Sequence, residues 1–159
     1  MHDTITIGTI GGFISTAIFL VADWAIAAIF EINYTSSIAG TASIYLNPDY
    51  IYTISGYILG TVNTFLLGST VGVLVAITLK IFGKDYYFLK GIGVALMWKM
   101  ATFGILAPIA HITPNIKNEP QTMLLAMMNF FIMGIVSSFI AKKYMKKGKY
   151  RLTRTLKNI

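Results

Sequence analysis

Four apolar stretches, at about residues 5–30, 56–81, 89–110 and 122–141, constrain this chain more than any other feature. An α-helix rises about 1.5 Å per residue, so about 20 apolar residues cross a hydrocarbon core of ~30 Å. Each stretch is long enough to do so. The predicted fold is all-α: a polytopic transmembrane four-helix bundle over residues 1–141, followed by a basic tail over 142–159. Of the 159 residues, 12% are charged, about half the share of a soluble domain. Four spans with short connections use this length, leaving no room for a soluble catalytic domain. The first stretch is too long for a cleaved signal peptide and is read as a retained helix.

The charges are distributed one-sidedly. Lys80, Lys84 and Lys90 flank the second connection, and Lys142, Lys143, Lys146, Lys147, Lys149, Arg151, Arg154 and Lys157 follow the last span, so eleven of the thirteen basic residues lie on one side. Basic residues mark the cytoplasmic side of a membrane, which predicts that both termini are cytoplasmic, as four spans require. The net charge of +7 follows this topology and does not indicate nucleic-acid binding. Three readings fit the tail. Its basic residues set topology, or Lys142, Lys143, Lys146, Lys147, Lys149 and Arg151 bind anionic lipid headgroups, or the tail docks a cytoplasmic partner. The first connection, residues 31–55, is rich in tyrosine and is read as an ordered loop, with Ile38–Leu46 as an alternative interfacial helix or strand-like segment.

Small residues recur at every fourth position of the second span: Gly56, Gly60, Thr64, Gly68, Gly72 and Ala76. The first span has a shorter row in Gly8, Gly12 and Thr16. Such ridges let helix backbones approach closely where lipid provides no hydrophobic push. Packing within the chain and dimerisation both fit. In the third span Pro108 removes an amide donor, which predicts a bend near Gly104.

Asp23 and Lys99 lie within apolar stretches, where a charge costs at least ~2.5–3.5 kcal/mol. Asp23 shares a helical face with Gly12 and Thr16 and so points into the bundle. Asp23, Asn63 and Asn129 lie at similar depth, about 10 Å below the outer boundary by helical rise. Lys99 is deeper, with a side chain long enough to reach up. The expectation is a buried Asp23–Lys99 pair with Asn63 and Asn129 as hydrogen-bonding neighbours. It serves either to fix helix register or to relay a proton or small solute.

Much chemistry is absent. With no cysteines there are no disulfides, thiolate metal sites or cysteine nucleophiles. His2 and His111 fall on opposite sides of the membrane, so neither a haem nor another cofactor is expected, and no metal site is expected either. No hydrolase, metalloprotease or nucleotide-binding motif is present, and Asp23 has no buried carboxylate partner, so an enzyme is not expected. Asn33-Tyr34-Thr35 matches a glycosylation sequon.

The run Gly83-Lys84-Asp85-Tyr86-Tyr87-Phe88-Leu89-Lys90-Gly91, with Trp98 and Gly104 after it, resembles small uncharacterised four-helix membrane proteins of anaerobic bacteria. The resemblance covers about one fifth of the chain. It implies a multi-pass protein of a bacterial plasma membrane and implies no activity. The leading expectation is therefore a non-enzymatic membrane-anchoring or assembly subunit, joined to another membrane subunit through the second-span ridge or the tail. The alternative is a small homo-oligomeric transporter or channel that works around the Asp23–Lys99 layer.

Overall fold

A computed structural model of the chain describes residues 3–31, 35–106 and 120–145. It contains α1 (Thr4–Phe30), α2 (Ser37–Ala42), α3 (Pro48–Ile51), α4 (Ile54–Phe82), α5 (Tyr87–Lys99) continuing into a π-helical segment (Met100–Leu106), and α6 (Pro120–Tyr144). Among the described residues there are helices and no strands. Four helices are long and apolar enough to cross a membrane: Thr4–Phe30, Ile54–Phe82, Tyr87–Ile105 and Pro120–Tyr144. The chain is thus built as a multi-pass membrane protein. Its four long helices alternate in direction, with α4 and α6 also touching across the diagonal. One end of the bundle carries Lys84, Lys90 and Lys142; the other is capped by α2 and α3.

The packing reverses that of a soluble protein. Trp24, Ile29, Leu66, Met97 and Phe131 point outward, while Ser15, Thr16, Ser137 and Ser138 are buried. In hydrocarbon, burying apolar side chains gains nothing, and close backbone contact with hydrogen bonding replaces it. A Cβ added to Gly8 would stand 2.6 Å from the Val73 Cα, and one added to Gly72 would stand 2.6 Å from the Gly12 Cα. Gly12 and Gly68 are equally tight, with Gly68 against the Thr16 hydroxyl. At the same level Ser137 Oγ donates to Ser15 Oγ at 3.1 Å, which ties α6 to α1. Gly91 and Gly134 make a second backbone contact, between α5 and α6: a Cβ on Gly134 would lie 2.7 Å from the Ile92 Cα.

The α4 ridge divides its work. Gly68 and Gly72 grip α1. Gly60 lies against the Ile38 carbonyl of α2, and Gly56 against the Tyr50 and Ile51 carbonyls of α3. Thr41 Oγ1 of α2 is 2.8 Å from both the Gly60 carbonyl and Thr64 Oγ1. The ridge is thus occupied within the chain from end to end.

Within the connection expected as an ordered loop, with a short helix over Ile38–Leu46 as the alternative, the described residues form two short helices, Ser37–Ala42 and Pro48–Ile51, that cap the bundle. Ser36 caps α2 by accepting from the Ala39 amide, and Pro48 starts α3 at a position where its missing N–H is harmless. The third span also departs from a regular helix, because α5 gives way at Met100 to the π segment, which contains Gly104. There Thr102 Oγ1 donates to the Trp98 carbonyl at 2.5 Å and the Lys99 carbonyl at 3.3 Å, competing with backbone amides for them. Pro108 lies outside the described residues, as do His2, His111, Asn33 and Tyr34, while Gly104, near which the bend was expected, falls in the π segment.

At the lysine end, basic side chains close helix C-termini. Lys90 Nζ donates to the Phe82 and Gly83 carbonyls at the end of α4, at 2.8 and 3.0 Å. Lys84 Nζ donates to the Lys142 carbonyl at 3.2 Å and to the Met145 carbonyl at the end of α6. Lys142 Nζ sits 3.9 Å from the Tyr87 ring centre. Cations at the negative end of a helix dipole are stabilising. Lys142 and Lys143 end α6 as exposed residues, and Lys146, Lys147, Lys149 and Arg151 lie outside the described residues.

Two outcomes test this packing. Gly72→Ala will destabilise the bundle by about 1–3 kcal/mol through overpacking. Gly93→Ala, whose Cβ would meet nothing within 4 Å, will be neutral or slightly stabilising. Thermal unfolding of both variants in detergent micelles checks the contrast. Acid acts at the start of α1, where the Thr6 hydroxyl and the Ile5 amide hold the Asp3 carboxyl below its ordinary value of 3.8. The cap's stabilisation is fully present above that value and is lost as pH falls through the lower, folded-state value. The protection factors of the first-turn amides of α1, measured against the intrinsic exchange rate at each pH, will therefore fall at acid pH in the parent, and Asp3→Ala will remove that pH dependence.

Candidate functional site

Asp23 is the most deeply buried charge in the described residues, 2% exposed. It lies seven residues before the end of α1, about 10 Å along the helix axis. Its carboxylate faces the cap. Ser37, the first residue of α2, donates its hydroxyl to Asp23 Oδ2 at 3.1 Å. The same Ser37 Oγ accepts from Asn129 Nδ2 of α6 at 3.1 Å. The chain of bonds therefore runs one way, from amide to hydroxyl to carboxylate, and every donor in it supports negative charge on Asp23. The other carboxylate oxygen, Oδ1, is buried and has no protein donor.

These residues line a cavity of about 80 Å³ at the cap end of the bundle. Asp23 and Phe19 come from α1, Ser37, Gly40 and Thr41 from α2, Thr64 and Leu67 from α4, Phe103 from the π segment, and Asn129, Phe130 and Met133 from α6. Among the described residues, Asp23 is the sole carboxylate that lines it. Phe103 and Phe130 meet edge to face, with ring centres 6.2 Å apart. The walls are thus mainly apolar, with polar groups gathered on the side of α2 and Asn129. Thr122 completes that side, its Oγ1 accepting from the Thr35 amide at 3.1 Å. Toward the lysine end the floor is Phe19 and Met133, both buried. One turn further along α1 and α6 lies the Ser15–Ser137 hydrogen bond.

Of the four residues expected to form one polar layer, the structure joins two. Asn129 reaches Asp23 through Ser37. Lys99 does not, and the expected Asp23–Lys99 ion pair is not formed. The reason is the arrangement of the helices: α1 packs mainly on α4 and α6, while Lys99 ends α5 on the other side of them. Lys99 is half-buried, and its ammonium has no hydrogen-bond or ion-pair partner among the described residues. Asn63 is half-buried with its Nδ2 unpartnered, and it is not among the cavity-lining residues. Ser37 went unrecognised in the sequence because it sits in a connection read as loop. Its one signal is the Ser36-Ser37 pair, a helix N-cap pattern before a short small-residue run.

Among the described residues no cluster of three or more His, Cys, Asp or Glu side chains is placed to hold a metal ion. No protein-family model, curated protein or solved structure matches the chain. The site is therefore interpreted from its own geometry.

Two substitutions separate the observed site from the expected ion pair. Ser37→Ala leaves Asp23 Oδ2 and the Asn129 amide without their shared partner and will cost about 1–3 kcal/mol. Lys99→Met will be neutral or stabilising, and a double-mutant cycle with Asp23→Asn will show coupling below about 0.5 kcal/mol. Thermal or denaturant unfolding in a fixed detergent measures all of these.

Proposed function

We propose that the protein is a small, non-enzymatic membrane transporter that takes a proton or a small cation onto Asp23 from the cap end of the bundle. The observation that carries this reading is a buried carboxylate, Asp23, among the residues that line a cavity, with one oxygen to which no protein group donates. A buried anion without a full set of donors is costly, and ionisable groups inside a membrane commonly mark the path of ions or protons. The Asn129–Ser37 chain stabilises the charge without neutralising it and leaves one oxygen for the transported species. The described residues of the site all come from one chain. Passage toward the lysine end requires the Phe19–Met133 floor to part, and the Ser15–Ser137 hydroxyls are the next polar station. The lysine-rich end is assigned to the cytoplasm by its basic residues, with anionic lipid headgroups as neighbours of Lys142 and Lys143.

The second reading, a membrane subunit of a larger complex, has support of its own in α5. Only 11% of its spanning window is buried, against 33% for α4 and for α6. Leu89, Met97, Met100 and Ile105 form an exposed face that a partner helix would cover as readily as lipid.

Reconstitution into liposomes with an entrapped pH-sensitive dye tests the two readings. Under an imposed membrane potential, the transport reading expects proton or cation-coupled flux that falls at least tenfold in Asp23→Asn and persists in Lys99→Met. Flux equal to that of empty liposomes in the parent, together with a stoichiometric foreign subunit on gentle extraction, would replace it with the subunit reading.

A further inference from the structure

We propose that the face of α5 and α6 beside Lys99 is an interaction surface for a transmembrane helix of a different membrane protein, one that carries an aspartate or glutamate near the middle of the bilayer. The carboxylate pairs with the Lys99 ammonium, and the apolar side chains around it lie in the groove between α5 and α6. Neither Lys99 nor the residues of that groove line the Asp23 cavity, so the inference stands apart from the transport reading. Placement, charge and depth carry it.

Ile92, Leu96, Lys99 and Phe103 follow one another at spacings of four, three and four, which puts them on one face of the third span. Contacts along that face turn it to α6. Ile92 backs onto Gly134, where a Cβ would stand 2.7 Å from the Ile92 Cα. Leu96 forms a groove with Met127, Met128, Phe131 and Ile132 of α6, and the Phe103 ring meets Phe130 of α6 edge to face. Lys99 lies between Leu96 and Phe103. The Cα–Cβ bond of a helical residue tilts toward the N-terminus, so the lysine stem leans toward Leu96 and the groove. The groove opens outward, since Met127, Met128 and Phe131 are exposed. Flexible thioether side chains on such a surface adapt to the shape of a partner.

The charge selects the partner. The Lys99 ammonium has no hydrogen-bond or ion-pair partner among the described residues, and ionisable groups inside a membrane commonly pair with one another. A second copy of this chain does not supply the missing anion. Of its six acidic residues, Asp23 is buried and bonded to Ser37. Asp3, Glu31, Asp49 and Asp85 lie at or beyond the ends of the spanning helices. Glu119, outside the described residues, directly precedes the first residue of α6 in the sequence. A two-fold contact sets the same patch of both copies face to face, which would bring Lys99 toward Lys99.

Depth separates a helix from a lipid. Lys90 closes the end of α4 at the lysine-rich end. Lys99 lies nine residues further along, about 14 Å by helical rise and so near the middle of a ~30 Å hydrocarbon core. An anionic lipid keeps its phosphate at the interface, because charge is costly in hydrocarbon, and a lysine stem does not span the remaining distance. A helix holds a carboxylate at this depth with its own backbone hydrogen-bonded internally. The span that ends at Ile105 has room for one, since 11% of its window is buried.

The test is energy transfer between the labelled intact protein and labelled synthetic transmembrane peptides, dilute in phosphatidylcholine vesicles at mildly alkaline pH, which favours ionised glutamate. The peptides are leucine-alanine helices with one central glutamate, with leucine at that position, or with the glutamate moved two turns toward one end. The proposal expects saturable association of the central-glutamate peptide, at least tenfold tighter than that of the other two. Lys99→Arg keeps this preference and Lys99→Met abolishes it. Phe131→Ala weakens association severalfold and leaves the preference in place. Equal association of the glutamate and leucine peptides, association unchanged in Lys99→Met, or no association at all would overturn the proposal. Loss of the preference on adding phosphatidylglycerol would assign Lys99 to a lipid headgroup. Transfer between two labelled copies of the protein that the central-glutamate peptide displaces would assign the face to a second copy. Either result overturns the proposal, and none of these readouts depends on flux through the Asp23 site.

Discussion

The architecture depends on the backbone contact between α1 and α4. Gly8 and Gly12 meet Gly68 and Gly72 so closely that no side chain fits between them, and this sets the separation of the two helices over the lysine-end half of the bundle. The contact ends where α1 presents Thr16 and then Phe19. Beyond that point the small face of α4 continues with Thr64, Gly60 and Gly56 but meets α2 and α3 instead of α1. The cap helices thus fill the space that α1 vacates. Asp23 lies just past the separation, and the cavity is the volume left over between a tight half and a capped half.

The rest of the interior follows from the solvent. A bundle that gains little from burying leucine in lipid uses hydroxyls and glycines at its centre, and the Ser15–Ser137 bond and the Gly91–Gly134 contact are the outcome. Each hydroxyl in this interior has a local or cross-helix partner, so the polar core costs little to bury. The few groups left unpaired are therefore informative. Among the described residues they are Asp23 Oδ1, Asn63 Nδ2 and Trp98 Nε1, and of these residues Asp23 lines the cavity.

The spans, their number and the close-packing role of the α4 glycines could be read from the sequence, because length, hydropathy and four-residue spacing each have a direct physical meaning along one helix. The inward direction of Asp23 was legible for the same reason, since it shares a face with Gly12 and Thr16. What lies between helices was not. Pairing Asp23 with Lys99 needed α1 beside α5, and neighbour relations in a bundle leave no periodic trace in the chain. Ser37 was missed because tertiary contacts with Gly60 and Thr64 hold a six-residue helix that is too short to stand alone. The lysines were read as marks of topology, yet Lys84 and Lys90 also terminate helices. Only the folded chain displays that second role.

The π segment at Met100–Leu106 has a consequence for the cavity wall. A π turn holds more residues than an α turn, so this stretch carries surplus chain, much as an extra half-plane of atoms is held at a dislocation in a crystal. A dislocation glides by small local steps without breaking the lattice. If the surplus moves toward either end of the segment, the side chains between the old and new positions swing around the helix axis while both ends of the helix stay fixed. Phe103 lies in that interval. A shift of the surplus would thus re-aim one wall of the cavity without any sliding of the glycine contacts that hold the bundle together.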